Sequence, residues 1–125
     1  MIDPRAAPDV TPGVRVLVVE DEVILRLAVC AHLREAGFLV IEAVDAEEAV
    51  ELLRANRSIQ LVFSDITMPG ALDGDQLASW IGERYPEIQV LLTSGVGQAG
   101  RRPFIGKPYS FNELQRRIEE MLRRG

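Results

Sequence analysis

Four short apolar runs stop abruptly at polar residues along this chain: 16–19, 38–43, 59–64 and 88–93. Each is four to six residues long and rich in Val, Leu and Ile, which reads as a strand buried on both faces. Between them the spacing changes to three and four residues. Leu25, Ala28, Val29, His32 or Leu33, and Ala36 fall on one face of a helix that begins near Glu22 and stops at Gly37. Asp45 with Glu48 three residues later opens a second helix, which runs through Ala49, Leu52 and Leu53 to about Asn56. A loop with Pro69, Gly70 and Gly74 precedes a third apolar stripe, Leu77, Trp80 and Ile81. Phe104 and Ile105 predict a short fifth strand. Ser110 and Glu113 predict a capping box for a last helix carrying Phe111, Leu114, Ile118, Met121 and Leu122 on one side.

Strands alternating with helices predict an α/β domain with a parallel sheet covered on both faces. Five strands between residues 14 and 124 fit one doubly wound domain. Residues 1–13 hold three Pro, one Gly and no periodicity, and read as a flexible N-terminal tail.

Composition then removes function classes. The chain has 125 residues, is 47% hydrophobic and has a net charge of −5. No apolar run reaches the ~18 residues of a membrane span, so no membrane role is expected. An acidic domain lacks the basic footprint of nucleic-acid binding. One cysteine, Cys30, forms no internal disulfide and reads as a small core residue, which suits the cytoplasm. One histidine, His32, rules out a His-rich metal cage and reads as structural. Trp80 reads as an anchor for the third helix. The basic residues are thirteen Arg and a single Lys, Lys107. Against that bias the compact ammonium of Lys107 stands out.

In a doubly wound sheet the C-terminal strand ends form the functional crevice. Here the first strand ends in Glu20 and Asp21, the third in Asp65 and the fourth in Thr93 and Ser94, and the fifth stops just before Lys107. Three carboxylates at one rim repel one another unless a cation joins them. Hard oxygen donors that leave positions for water and phosphate suit Mg²⁺. A hydroxyl and an ammonium opposite would neutralise phosphoryl oxygens. Asp65 is the natural nucleophile, since carboxylates form acyl phosphates.

Val-Leu-Val-Val-Glu-Asp-Glu (16–22), Phe-Ser-Asp-Ile-Thr-Met-Pro-Gly (63–70), Leu-Thr-Ser-Gly (92–95) and Gly-Lys-Pro-Tyr (106–109) together resemble the response-regulator receiver domain of two-component signalling. The resemblance spans residues 14–124. It implies a flavodoxin-like (βα)5 fold with sheet order 2-1-3-4-5. It implies Mg²⁺-dependent phosphorylation of Asp65 by a histidine kinase or histidine phosphotransfer protein. By position Asp21 is a direct metal ligand, Glu20 supports the metal directly or through water, and the Thr67 backbone carbonyl completes the protein ligands with Asp65. Lys107 pairs with the phosphoryl group, and the Lys107–Pro108 peptide is expected to be cis. Anchoring the fourth strand at Val90 puts the family's hydroxyl at Ser94, with Thr93 as the alternative. That spacing holds if the 70–74 loop contains one extra residue. Phe104, three residues before Lys107, matches the family's aromatic switch.

The expected output is protein–protein contact with a downstream protein the sequence does not name, by a stand-alone receiver that is a monomer or weak dimer. It is a signalling domain and not an enzyme acting on another substrate. The alternatives are a receiver fragment of a larger hybrid kinase and an Asp-nucleophile phosphatase. The phosphatase would want an acid two residues after the nucleophile, where Thr67 stands. A flavin carrier would want a hydroxyl- and glycine-rich loop in place of Glu20-Asp21-Glu22. A receiver that no longer takes phosphate conflicts with all four chemical positions being filled. One departure from the family stands out. Only twelve residues separate Ser94 from Lys107, and three of the first six are Gly. A three-turn helix needs ~11 residues, and each Gly disfavours helix by ~1 kcal/mol. The fourth helix of the family is therefore predicted to be a single turn or a mobile loop.

Overall fold

The computed structural model describes residues 13–97, 100 and 102–124. The tail expected over 1–13 lies outside them except for Gly13. Among the described residues five strands and four helices follow in the order β1 (Arg15–Val19), α1 (Val23–Glu35), β2 (Leu39–Ala43), α2 (Ala46–Ala55), β3 (Ile59–Asp65), α3 (Gly74–Arg84), β4 (Gln89–Ser94), β5 (Phe104–Gly106) and α4 (Phe111–Arg124). The strands form one sheet in the order β2-β1-β3-β4-β5, and every neighbouring pair is parallel. This is the doubly wound sheet the strand–helix alternation predicts.

Alternation along the strands divides the core in two. Val16 and Val18 of β1 face a cluster with Cys30 and Leu33 of α1 and Leu114 and Ile118 of α4. Leu17 and Val19 face a cluster with Ala49 and Leu53 of α2 and Leu77 and Ile81 of α3. The register of β1 on β3 shifts between Arg15 and Val16, leaving Gln60 as an extra residue. Ile59 therefore packs in the second cluster while Leu61 packs in the first.

The helix signals hold with small shifts. Asp45 accepts from Glu48 N at 2.8 Å, but the Glu48 carboxylate reaches back to Val44 N at 2.9 Å and not to the cap residue itself. Ser110 accepts from Glu113 N at 3.0 Å. A full capping box stands where the sequence reading named none, between Asp73 and Gln76 at the start of α3. Trp80 packs against the second cluster but stays half-buried, with Arg54 and Arg84 over its ring. His32 shares a 2.8 Å hydrogen bond with Gln115 and tilts against Phe111. Between β4 and β5 no helix occurs among the described residues. Residues 98, 99 and 101 of that connection, part of the expected mobile loop, lie outside them.

Candidate functional site at the C-terminal edge of the sheet

Parallel strands bring all their C-termini to one edge, so residues far apart in sequence meet there. Glu20 follows β1 directly, and its N–H continues the ladder by donating to Ala43 O at 3.0 Å. Its carboxylate folds back, accepting from Glu22 N at 3.1 Å and from Lys107 Nζ at 3.3 Å. Burial pushes the Glu20 carboxyl above its usual value, and the charge of Asp65 adds to this. The Glu22 N–H and Lys107 act against it. Asp21 beside it is exposed.

Asp65 ends β3 and is only 7% exposed. Its Oδ1 accepts from Thr67 N at 3.0 Å and its Oδ2 from Lys107 Nζ at 2.6 Å. Lys107 sits one residue beyond β5, with its own N–H on Ser94 O at 3.0 Å. Burial alone would pull its ammonium down. The Asp65 hydrogen bond and the charges of Glu20 and Asp65 outweigh that and hold it above the ordinary lysine value. The Lys107–Pro108 peptide is cis. Glu20, Asp21 and Asp65 each offer a carboxylate oxygen, and the three oxygens lie within 4.8 Å of one another. That donor set fits a hard divalent cation such as Mg²⁺.

Two hydroxyls stand close in sequence. Ser94 is the last residue of β4, one later than the sequence pattern gave, and its Oγ accepts from Val96 N at 3.1 Å. Thr93 lies opposite Asp65 in the ladder, and its Oγ1 is buried without a partner. Phe104 is half-buried in β5, paired with Leu92. Thr67 is exposed two residues after Asp65.

The β3–α3 loop is fixed from several sides. Glu47 of α2 accepts from Ala71 N at 2.8 Å and Leu72 N at 3.1 Å. Its own amide, then those of Leu72 and Ala71, hold the Glu47 carboxyl below its ordinary value. Gly70 takes a φ of +107° against this carboxylate, where an added Cβ would stand 2.8 Å from Glu47 Oε2. Gly74 leaves room for the backbone of Asp65, because a Cβ there would stand 2.3 Å from Asp65 O. Sequence reasoning missed Glu47. It also missed Tyr109, whose hydroxyl is buried without a partner beside Lys107 and Pro108. Burial, then the charges of Glu20 and Asp65, push that hydroxyl well above the usual phenol value. Arg26, donating to Glu20 O at 2.9 Å, was missed too.

A five-stranded parallel sheet of this order with a carboxylate cluster and a lysine at its C-terminal edge defines a narrow class. The sequence matches the family model of the response regulator receiver domain over residues 16–119, and the chain belongs to that family. It is 35% identical over 128 residues to the transcriptional regulatory protein PdtaR of Mycobacterium tuberculosis, covering 95% of this chain and 62% of that protein. It is 31% identical over 126 residues to the sensor kinase CckA of Brucella abortus, covering 93% of this chain and 13% of the kinase. The chain thus spans less than two thirds of either relative. Among solved structures, a chain of the CheX–CheY–BeF3–Mg²⁺ complex from Borrelia burgdorferi superposes with a TM-score of 0.80 at 29% identity, covering 89% of this chain and 90% of that one.

Proposed function

We propose that this chain is the phosphoacceptor of a two-component relay, with Asp65 as the residue that takes the phosphoryl group. The observation that carries this is the pairing of buried Asp65 with Lys107 inside a cluster of three carboxylates. Carboxylates are costly to bury together, and a cation and a phosphoryl group sharing them would offset that cost. One Asp65 oxygen attacks the phosphorus of a phosphohistidine. The P–O bond forms as the P–N bond breaks, and the imidazole leaves with the bonding electron pair. Mg²⁺, when bound, supplies positive charge against the developing phosphoryl charge. Asp21, Asp65, Glu20 and the Thr67 carbonyl are the residues that would hold it. Lys107 moves from the Asp65 carboxylate to a phosphoryl oxygen. Ser94 is the hydroxyl assigned to another phosphoryl oxygen, and the orphaned Thr93 hydroxyl is the alternative. Phe104 is the aromatic group that follows that hydroxyl inward. The crystallised receiver complex with BeF3 and Mg²⁺ supports this reading by likeness.

The donor is a histidine kinase or phosphotransfer protein. Val23, Ile24 and Leu27, 55%, 80% and 53% exposed on α1 beside the acidic loop, give it an apolar rim to dock on. Output runs through contact with a further protein, in the cytoplasm, from a domain over 14–124. The likeness to CckA favours a second context, in which this receiver works within a hybrid kinase. Acetyl phosphate with Mg²⁺ should add one phosphoryl group to the wild type and none to Asp65→Asn, read by intact-mass spectrometry. Equal labelling of both would refute Asp65 as the acceptor.

A further inference from the structure

The loop carrying Glu20 and Asp21 is braced from outside the site by one side chain. Arg26 stands one turn into α1. Its Nη1 donates to the Glu20 carbonyl at 2.9 Å and its Nε to Glu42 Oε1 of β2 at 3.2 Å. The side chain is only 12% exposed. Glu42 is held in turn by Arg34, whose Nη2 donates to Glu42 Oε2 at 3.1 Å and to Val40 O at 3.0 Å. The Glu20 carbonyl belongs to the planar peptide that joins Glu20 to Asp21. Fixing that oxygen fixes the direction in which Asp21 leaves β1. The Glu20 N–H is anchored independently on Ala43 O. Both peptides flanking Glu20 are therefore tied down, one by the sheet and one by Arg26.

We propose that Arg26, braced by Glu42, is a positioning residue that holds the Glu20–Asp21 loop in the shape that takes a divalent cation. This rests on the reading of Glu20, Asp21 and Asp65 as the cation's ligands. The sign of the effect separates the proposal from plain electrostatics. A guanidinium bonded to the Glu20 carbonyl repels a cation arriving at that loop, so as a charge its removal would tighten Mg²⁺ binding. As a brace its removal loosens binding, because the ligands lose their common geometry. Lysine cannot substitute, since a point charge does not span two acceptors as the planar fork does.

The test is a Mg²⁺ titration of the full chain, followed by amide NMR shifts, for wild type, Arg26→Gln, Arg26→Lys, Glu42→Gln and Asp21→Asn. Urea unfolding without metal is measured alongside. The expected result is a dissociation constant about tenfold higher for Arg26→Gln, nearly as high for Arg26→Lys, and intermediate for Glu42→Gln. An unchanged or tighter constant for Arg26→Gln, with only metal-free stability lowered, overturns the proposal. Should Arg26→Gln fail to fold, Glu42→Gln decides, because it weakens the brace while leaving the Glu20 bond, and wild-type affinity there overturns the proposal too. A wild type that binds no Mg²⁺, or an Asp21→Asn variant that binds as tightly, refutes the cation reading and the role of Arg26 with it.

Discussion

Val16, Leu17, Val18 and Val19 run along β1 with at most 1% exposure, and all four join apolar clusters. One residue further on, Glu20 is nearly as buried, at 5%, and carries a carboxylate. The same change occurs along β3, from Leu61 and Val62 to Ser64 and Asp65, and along β4, from Leu91 and Leu92 to Thr93 and Ser94. Among the described residues these five, Glu20, Ser64, Asp65, Thr93 and Ser94, are the buried polar or charged ones, and all lie at C-terminal strand ends. The body of the sheet buries groups that gain from leaving water. The rim buries groups that lose by it, held by a lysine and backbone amides. The body thus supplies the stability with which the rim keeps a costly arrangement.

This contrast can be broken by substitution. Ile118→Ala, at a fully buried position on the inner face of α4, should lower stability by about 3 kcal/mol. In urea unfolding the loss should be plain, while the rate of labelling by acetyl phosphate well below the melting temperature should stay at the wild-type value. A matching fall in that rate would show that body and rim do not act separately. Ser94→Ala should do the reverse, slowing labelling roughly tenfold or more with little change in unfolding. Thr93→Val should leave the rate alone. If the two results were exchanged, Thr93 would take the hydroxyl role.

Glu20→Gln sharpens the contrast further. Removing a buried charge that faces Asp65 should raise metal-free stability by roughly 1 kcal/mol while weakening Mg²⁺ binding. A drop in metal-free stability would mean that Lys107 more than offsets the cost of burying Glu20. Near neutral pH the smallest effect concerns Cys30 in the body. Burial pushes its thiol up to about 12, from 9.0. The unfolded thiol ionises first, so the folded state loses ground as pH rises from 9.0 toward about 12, with no contribution from this group below that window. Alkylation at pH 8.5 should be slow in the native protein and fast in urea.

Much of the body was legible because parallel strands are continuous apolar runs, and helix faces repeat at 3.6 residues. Boundaries slipped by about one residue. β4 begins at Gln89 and ends at Ser94, because ladder bonds, and not apolarity, define its ends. That no helix occurs among the described residues between β4 and β5 agrees with the three glycines and the short span there. At the rim, Glu20, Asp21, Asp65 and Lys107 stood out as charges ending strands. Their supports did not. Arg26 meets Glu42 sixteen residues away, and Glu47 meets Ala71 twenty-four residues away. No periodicity marks such pairs, since only the folded sheet brings them together. The Asp73–Gln76 capping box did carry a local signal, an acidic residue with Gln three positions on.

On the reading proposed above, the buried rim serves to place a phosphoryl group on Asp65. The most direct measurement is reductive trapping: the chain is treated with acetyl phosphate and Mg²⁺, reduced with borohydride, digested and mapped by mass spectrometry. An acyl phosphate on aspartate is reduced to homoserine, so homoserine is expected at position 65, dependent on Mg²⁺. Homoserine at Asp21 or elsewhere, or none at position 65 after the intact mass has shown labelling, would contradict it.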